Sequence, residues 1–349
     1  MKEVFDHLFL DGKPGRTALV NGREFLFFTG YNYLGINSDP EFIALMAEGL
    51  AKYGWLHPSS RISNTRLAIY EECEALLSEL TGTEATALLS SGYAAGRAAT
   101  GLYEPNVCNA PQSHPAILQN LSEFTDFSVW RSWLIQEHAS ACDLLIIAGD
   151  SVNPLTSAIN DFSFLSTLNR AVTAIIDDSH GIGVIGNKGS GMSSLMRSDD
   201  QVMCVYTYSL AKAFGIVGGA VSGPSEVIAA IKSRPEYSGA TALSPAQAYA
   251  FVNGQHIYDR QREKLKAGIT YFEAALYDLE GIQHTASLPV FMLPVQFKEQ
   301  LFHDNDILIS AFAYPDPTGK KLQRVVLNAL HTFADLDRLA SVVKKHYYE

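Results

Sequence analysis

The run TAIIDDSHGIGVIG, Thr173–Gly186, opens as a short apolar stretch and ends in two aspartates, a histidine and a glycine-rich turn. Apolar runs of this length are how strands buried on both faces of a parallel sheet read, and open α/β sheets collect their ligands at the carboxyl ends of such strands. Asp177 then ends a strand and His180 follows on the loop. Two readings fit that pair: a ligand site, or plain local structure in which Asp177 caps a helix and His180 is a satisfied loop residue. Three more runs share the texture, ATALLS from Ala85, DLLIIAG from Asp143 and VMCVYTYS from Val202, each set off by helical or loop stretches. Together they predict an α/β core whose mostly parallel sheet carries helices on both faces.

Outward from this core, residues 41–53 and 65–81 repeat apolar positions at three- and four-residue steps and predict amphipathic helices. Past residue 240 the pattern changes. A long helical stretch, 244–281, precedes LPVFMLPVQF, ILISAFAYP and QRVVLNALH, and the last helix begins at Phe333 with Asp early and Lys late, matching the helix dipole. The chain has 349 residues, more than one core usually holds. The expected organisation is an N-terminal segment 1–45, a large domain 46–240 and a smaller α+β domain 241–349.

A net charge of −11 and a pI near 5.4 exclude a nucleic-acid surface built on clustered Lys and Arg. Cys73, Cys108, Cys142 and Cys204 are scattered without CxxC spacing, which predicts buried thiols in a reducing compartment and neither disulfide nor metal. No signal-like start and no apolar run of about 20 residues is visible. The expectation is a soluble, cytoplasmic protein.

Lys212 stands in YTYSLAKAFGIVGG, 206–219, among small and apolar residues. A desolvated ammonium there must be paired, shifted in pKa or used covalently. With the Ser209 hydroxyl nearby it suits a Schiff base to a carbonyl cofactor whose phosphate Ser209 contacts; a surface lysine is the ordinary alternative. A P-loop is excluded, because the glycines follow the lysine instead of preceding it. LLSSGYAAG, 88–96, reads as strand, turn and helix start, either a phosphate cradle or a plain turn.

The ordered set SGYAAG, SHPAIL, DDSHGIGVIG, SLAKAFG and RVVLNALHTFADLDRL resembles the α-oxoamine synthases, pyridoxal-phosphate (PLP) enzymes of transferase fold type I. NGREFLFFTGYNYLGINSDP and SSRIS at 59–63 extend the likeness over nearly the whole chain. The resemblance implies Lys212 as the lysine that holds PLP and moves the Cα proton. It implies Asp177 on the pyridine nitrogen, His180 on the ring's phenolic oxygen, His114 stacked on the ring, and Ser209 with the Gly92–Tyr93 turn on the phosphate. Arg324 matches the family's carboxylate-binding arginine, with Tyr31, Asn32 and Arg61 as further substrate contacts. The implied reaction joins a small amino acid to an acyl-CoA or other acyl thioester, giving an α-amino ketone, in a cytoplasmic homodimer without a metal. KAFG and YPDPTG lean toward the 8-amino-7-oxononanoate synthase type.

Several positions depart from the family pattern. Tyr31 replaces an asparagine that helps hold the substrate carboxylate, Trp55-Leu56-His57-Pro58 replaces a glycine-rich run, and residues 64–70 lose a glycine and two histidines. Asn153 stands where a serine lies near the cofactor, and Ala110–His114 loses an acidic residue. Cofactor-holding positions persist while substrate-side loops drift. Transamination or a retro-Claisen cleavage on the same scaffold, and a non-catalytic homologue, are the alternative expectations.

Overall fold

A computed structural model describes residues 8–138, 144–294, 296–313 and 318–347. The chain divides into two compact units. The larger comprises Pro40–Asn153 and Ile159–Ile257. Its six-stranded sheet has the order Ala85–Leu89, Gly219–Gly223, Val202–Ser209, Val172–Asp177, Leu145–Asp150, Val107–Asn109. The last four strands run parallel, and Gly219–Gly223 is antiparallel to both its neighbours. Every residue of Leu145–Asp150 and of Val172–Asp177 is buried, which is why both appear as uninterrupted apolar runs.

Both faces of this sheet are covered. On one, Ala95, Ala98 and Ala99 of helix Gly92–Thr100 pack on Ala87, Ala148, Ile175, Val205 and Val221, drawn from five strands. Side chains alternate along a strand, so Thr86, Ser222 and Tyr208 point to the other face. There they form a hydroxyl chain with Ser78 of helix Ala68–Thr81, with links of 2.7–2.8 Å. Small residues let helix Gly92–Thr100 lie close: a Cβ on Gly96 would stand 2.9 Å from the Ala116 carbonyl oxygen. The α/β class and the fold type I architecture expected above are those observed.

The smaller unit comprises Met1–Asp39, Pro154–Ala158 and Tyr258–Glu349. Its six-stranded sheet runs Thr17–Val20, Arg23–Phe28, Ile307–Ala313, Lys321–Val326, Val290–Met292, Gln283–His284. Arg23–Phe28 pairs parallel with Ile307–Ala313, so the segment before Pro40 folds with the C-terminal part and forms no separate body. The boundary near residue 240 also differs. It falls at Ile257, inside helix Gln255–Leu276. The expected continuous helix over 244–281 is broken at Gly254 between Pro245–Asn253 and Gln255–Leu276. Helix Phe333–Tyr347 has Asp335 in its first turn, accepting from the Thr332 N–H at 2.8 Å, and Lys344, Lys345 and His346 in its last.

Cys73 and Cys204 are buried free thiols and Cys108 is half-buried; Cys142 lies outside the described residues, as do Tyr314–Pro317 of YPDPTG. Among the described residues no helix is long and apolar enough to cross a membrane, and no group of three or more His, Cys, Asp or Glu could hold a metal ion.

Candidate active site

Three adjacent strands of the larger unit end together. Asp150 is the register partner of Asp177, and Asp177 of Thr207. Register partners on parallel strands project from the same face, so both carboxylates and the Thr207 hydroxyl share the face covered by helix Gly92–Thr100. Asp177 is 5% and Asp150 6% exposed. Asp177 accepts from the Ser179 N–H at 3.0 Å, the first turn of the loop that brings His180 round. His180 Nε2 then lies 2.7 Å from Lys212 Nζ. Lys212 is half-buried, so its amine meets an imidazole in a setting far drier than a surface lysine's.

His114 is held from the neighbouring strand end. Its backbone N–H donates to Asp150 Oδ2 at 2.8 Å, and its Nδ1 accepts from the Ala116 N–H at 3.1 Å. That second bond fixes the neutral tautomer with the proton on Nε2. Burial lowers the His114 pKa; the Asp177 charge opposes that shift and the Lys212 charge adds to it. Burial pushes the Asp150 carboxyl well above the usual carboxylate range, and the Asp177 charge adds to it.

Ser209 ends strand Val202–Ser209. Its N–H donates to Ser179 Oγ at 2.9 Å, and its own Oγ accepts from the Ala211 N–H at 3.2 Å. Against it sits the start of helix Gly92–Thr100, N-capped by Ser91, whose Oγ accepts from Ala94 at 3.1 Å. A Cβ on Gly92 would lie 2.7 Å from Ser209 Cβ, and one on Gly219 would collide with the Ser91 backbone. Glycine at both places keeps backbone amides of a helix N-terminus beside a serine hydroxyl, a setting suited to a phosphate. Tyr93 is 56% exposed, and Asn153 Nδ2 donates to Gln112 Oε1 at 2.6 Å.

Two residues that the sequence reading passed over organise this cluster. Asp150 is one. The other is Asp178, 1% exposed, whose oxygens accept from the Ser151 hydroxyl at 2.6 Å and the Met192 N–H at 2.8 Å. Side chains on Gly181 or Gly191 would run into those oxygens, so the loop bearing His180 is wrapped around a buried carboxylate. Burial raises the Asp178 pKa to about 7. The doubled aspartate in IIDDSH was the available signal.

Within the smaller unit, Arg324 is 4% exposed on strand Lys321–Val326. It donates to the Pro154 carbonyl and to the Tyr31 hydroxyl, both at 2.9 Å, and lies over the Tyr31 and Phe312 rings. A guanidinium carries five N–H groups, so these two bonds orient the fork without exhausting it. Asn32 Oδ1 is buried and, among the described residues, has no hydrogen-bond partner. Arg61, expected on the substrate, is otherwise engaged in the larger unit: it is 6% exposed, pairs with Glu74 at 2.9 Å, donates to the Tyr237 hydroxyl and the Leu88 carbonyl, and lies over the Tyr70 and Tyr237 rings. Those contacts tie helix Ala68–Thr81 to strand Ala85–Leu89.

The residues at the strand ends fit PLP. They offer an amine, a buried carboxylate and a hydroxyl beside helix N-terminal amides, and the buried Thr207 Oγ1 has no hydrogen-bond partner among the described residues. Residues 155–343, more than half of the chain, match the family model for aminotransferase class I and II. The chain belongs to this family. It is a PLP-dependent enzyme of the corresponding fold.

Near full-length relatives include the 8-amino-7-oxononanoate synthase of Thioalkalivibrio sulfidiphilus, 27% identical with 96% of this chain and 92% of that protein covered. That of Fervidobacterium nodosum is 28% identical, with 94% and 90% covered. Among solved structures, a serine palmitoyltransferase from S. paucimobilis superposes with a TM-score of 0.81 at 19% identity, covering 97% of this chain and 92% of that one. The 8-amino-7-oxononanoate synthase of Francisella tularensis gives 0.72 at 22%, covering 93% and 98%. Such similarity, spread over both units, supports the α-oxoamine synthase resemblance.

Proposed function

We propose that this enzyme joins a small amino acid to an acyl thioester, releasing the free thiol and, from the amino acid's carboxyl group, carbon dioxide, and leaving an α-amino ketone, as an 8-amino-7-oxononanoate synthase does. The observation that carries the reading is the 2.7 Å contact of Lys212 Nζ with His180 Nε2 beside buried Asp177, in a chain whose near full-length relatives are such synthases. Bound PLP supplies an electron sink for the pair left at the substrate Cα.

The chain's own residues do the rest. The Lys212 amine takes and returns the Cα proton, held in place by His180. The Asp177 carboxylate favours a protonated ring nitrogen and so keeps the sink effective. His114, neutral and with its Nε2–H free of the Nδ1 bond, offers a flat face to a ring. Ser209 and the Gly92 and Tyr93 amides take a phosphate. Arg324, its fork oriented by Tyr31, takes a substrate carboxylate, a match of two parallel N–H donors to two oxygens. In this reading Tyr31 replaces direct asparagine recognition by bracing the arginine.

Coenzyme A as the thiol, a homodimer and a cytoplasmic location belong to the same proposal. Exposed Leu50, Trp55, Leu56 and Val217 around an open apolar cleft of about 710 Å³ support self-association, and the free thiols support a reducing compartment. The test is an absorbance titration of PLP-loaded protein with alanine, glycine and serine, then with short- and long-chain acyl-CoA while released thiol is measured. An amino-acid-dependent spectral change followed by thiol release on one acyl-CoA is the expected result. Conversion of bound PLP to pyridoxamine phosphate with a keto acid, and no thiol, would make the enzyme a transaminase.

A further inference from the structure

Strand Val202–Ser209 ends in a run of hydroxyl-bearing residues, Tyr206, Thr207, Tyr208 and Ser209. Three of these hydroxyls are bonded. Tyr206 donates to the Met196 carbonyl, Tyr208 shares a 2.7 Å bond with Ser222, and Ser209 accepts from the Ala211 N–H at 3.2 Å. Thr207 is 0% exposed, yet its Oγ1 has no hydrogen-bond partner among the described residues. A buried hydroxyl left unpaired gives up its water without recompense, and native cores rarely keep one. A partner that arrives with a ligand is a physical reason to keep it.

The neighbours of Thr207 narrow what that partner is. On the face under helix Gly92–Thr100, Thr207 stands in register between Asp177 and Val221. Val221 offers no side-chain acceptor, and Ser209, two residues along the strand, is about 7 Å away. Asp177 is an acceptor on the adjacent strand, roughly 5 Å off, and its Oδ1 takes the Ser179 N–H. A β-branched side chain has few rotamers, so one turn about χ1 re-aims the hydroxyl.

We infer that Thr207 is a positioning residue for PLP: its hydroxyl is satisfied in the loaded protein, where it donates to the Asp177 carboxylate and fixes the side of that carboxylate turned to the ring nitrogen. The inference rests on reading this cluster as the cofactor site. An O–H bond to a carboxylate is charge-assisted and stronger than one between neutral groups. Thr207 and the cofactor are therefore coupled through Asp177, each favouring the orientation of the carboxylate that the other needs.

The test measures two quantities on the full chain, the Tm before PLP is added and the Kd for PLP by absorbance titration. Thr207→Val keeps the shape of the side chain and removes the hydroxyl. It is expected to raise the Tm of the PLP-free protein by about 2–4 °C, because an unpaired buried group is gone. It is also expected to raise the Kd about 10-fold, because the loaded protein loses a charge-assisted bond. Thr207→Ser keeps the hydroxyl and loses a methyl, so its Tm falls while its Kd stays near that of wild type. Thr173→Val, on the same face about 13 Å down the strand from Asp177, leaves the Kd unchanged. In an Asp177→Ala background, Thr207→Val adds nothing to the Kd, since the acceptor is already gone. A Thr207→Val protein that melts at or below the wild-type temperature, or does not fold, shows the hydroxyl bonded before PLP arrives and overturns the inference. An undiminished effect in the Asp177→Ala background overturns it as well. Wild type that binds no PLP refutes the cofactor reading itself, whereas PLP binding that is indifferent to Thr207→Val refutes this inference alone.

Discussion

Gly92→Ala tests whether the meeting of helix start and strand end is what holds the cofactor's phosphate. The added Cβ lies 2.7 Å from Ser209 Cβ and 2.8 Å from its Cα, where ordinary contact begins at 3.4 Å. Both partners are fixed: Ser209 by its N–H bond to Ser179, Gly92 by the Ser91 cap and the alanine face packed on the sheet. Neither is a flexible side-chain end that can swing aside. Relieving such an overpacked contact costs about 1–3 kcal/mol. Borne by the phosphate-holding edge, that is a PLP Kd raised by ~5–150-fold, at tenfold per 1.4 kcal/mol. The assay is a spectroscopic titration of PLP-free protein with PLP, run beside thermal unfolding. Gly268→Ala is the control, since on half-buried Gly268 of helix Gln255–Leu276 a Cβ meets only Leu336 Cδ1, at an ordinary 3.7 Å, and a helical Gly to Ala change stabilises by up to about 1 kcal/mol. A Gly92→Ala protein with a wild-type Kd and an unchanged Tm would refute the argument.

Tyr31→Phe removes the 2.9 Å bond to Arg324 Nη2; the amino-acid KM is expected to rise by ~10-fold, the worth of a charge-assisted bond, with kcat changed less, and an unchanged KM in steady-state assays counts against Arg324 as the carboxylate site. Glu74→Gln strips Arg61 of its ionic partner and weakens the link to Lys232 Nζ, 2.6 Å from Glu74. Breaking a buried pair of this kind costs about 3–5 kcal/mol, read as a lower urea midpoint. His331 donates from Nε2 to the Phe27 carbonyl, accepts at Nδ1 from the Asn328 N–H and stacks on Phe28, and burial lowers its pKa from 6.5 to about 4. Because the folded pKa is the lower one, its stabilisation is complete above about pH 6.5 and is lost as pH falls toward 4, by up to about 3 kcal/mol. Urea unfolding of wild type and His331→Asn between pH 7 and 4.5 should converge, and a constant gap would show that His331 does not titrate in that window.

What the sequence disclosed and what it hid follow one physical divide. Leu145–Asp150, Val172–Asp177 and Val202–Ser209 were legible because parallel strands covered on both faces must be apolar throughout, and Lys212 because a cation set among small apolar residues needs a reason to be there. Gly219–Gly223 was not, because GAVSG has little strand character of its own; its glycine is demanded by the Ser91 backbone pressed against it, a contact made across more than a hundred residues. The union of Arg23–Phe28 with Ile307–Ala313 is hidden for the same cause, since each strand alone reads the same whichever partner it takes. The acids divide likewise. Asp177 stood out by its nearness to His180, yet Asp150 looked like the end of an ordinary run, and only register sets it opposite Asp177. Arg61 shows the converse error: a motif position near the family's substrate loop suggested a ligand, while its neighbours in space, Glu74 and two tyrosine rings, already satisfy it. Chemistry carried by one side chain in an unusual local setting is written in the sequence, whereas chemistry that depends on two strands in register becomes visible only when the sheet is built.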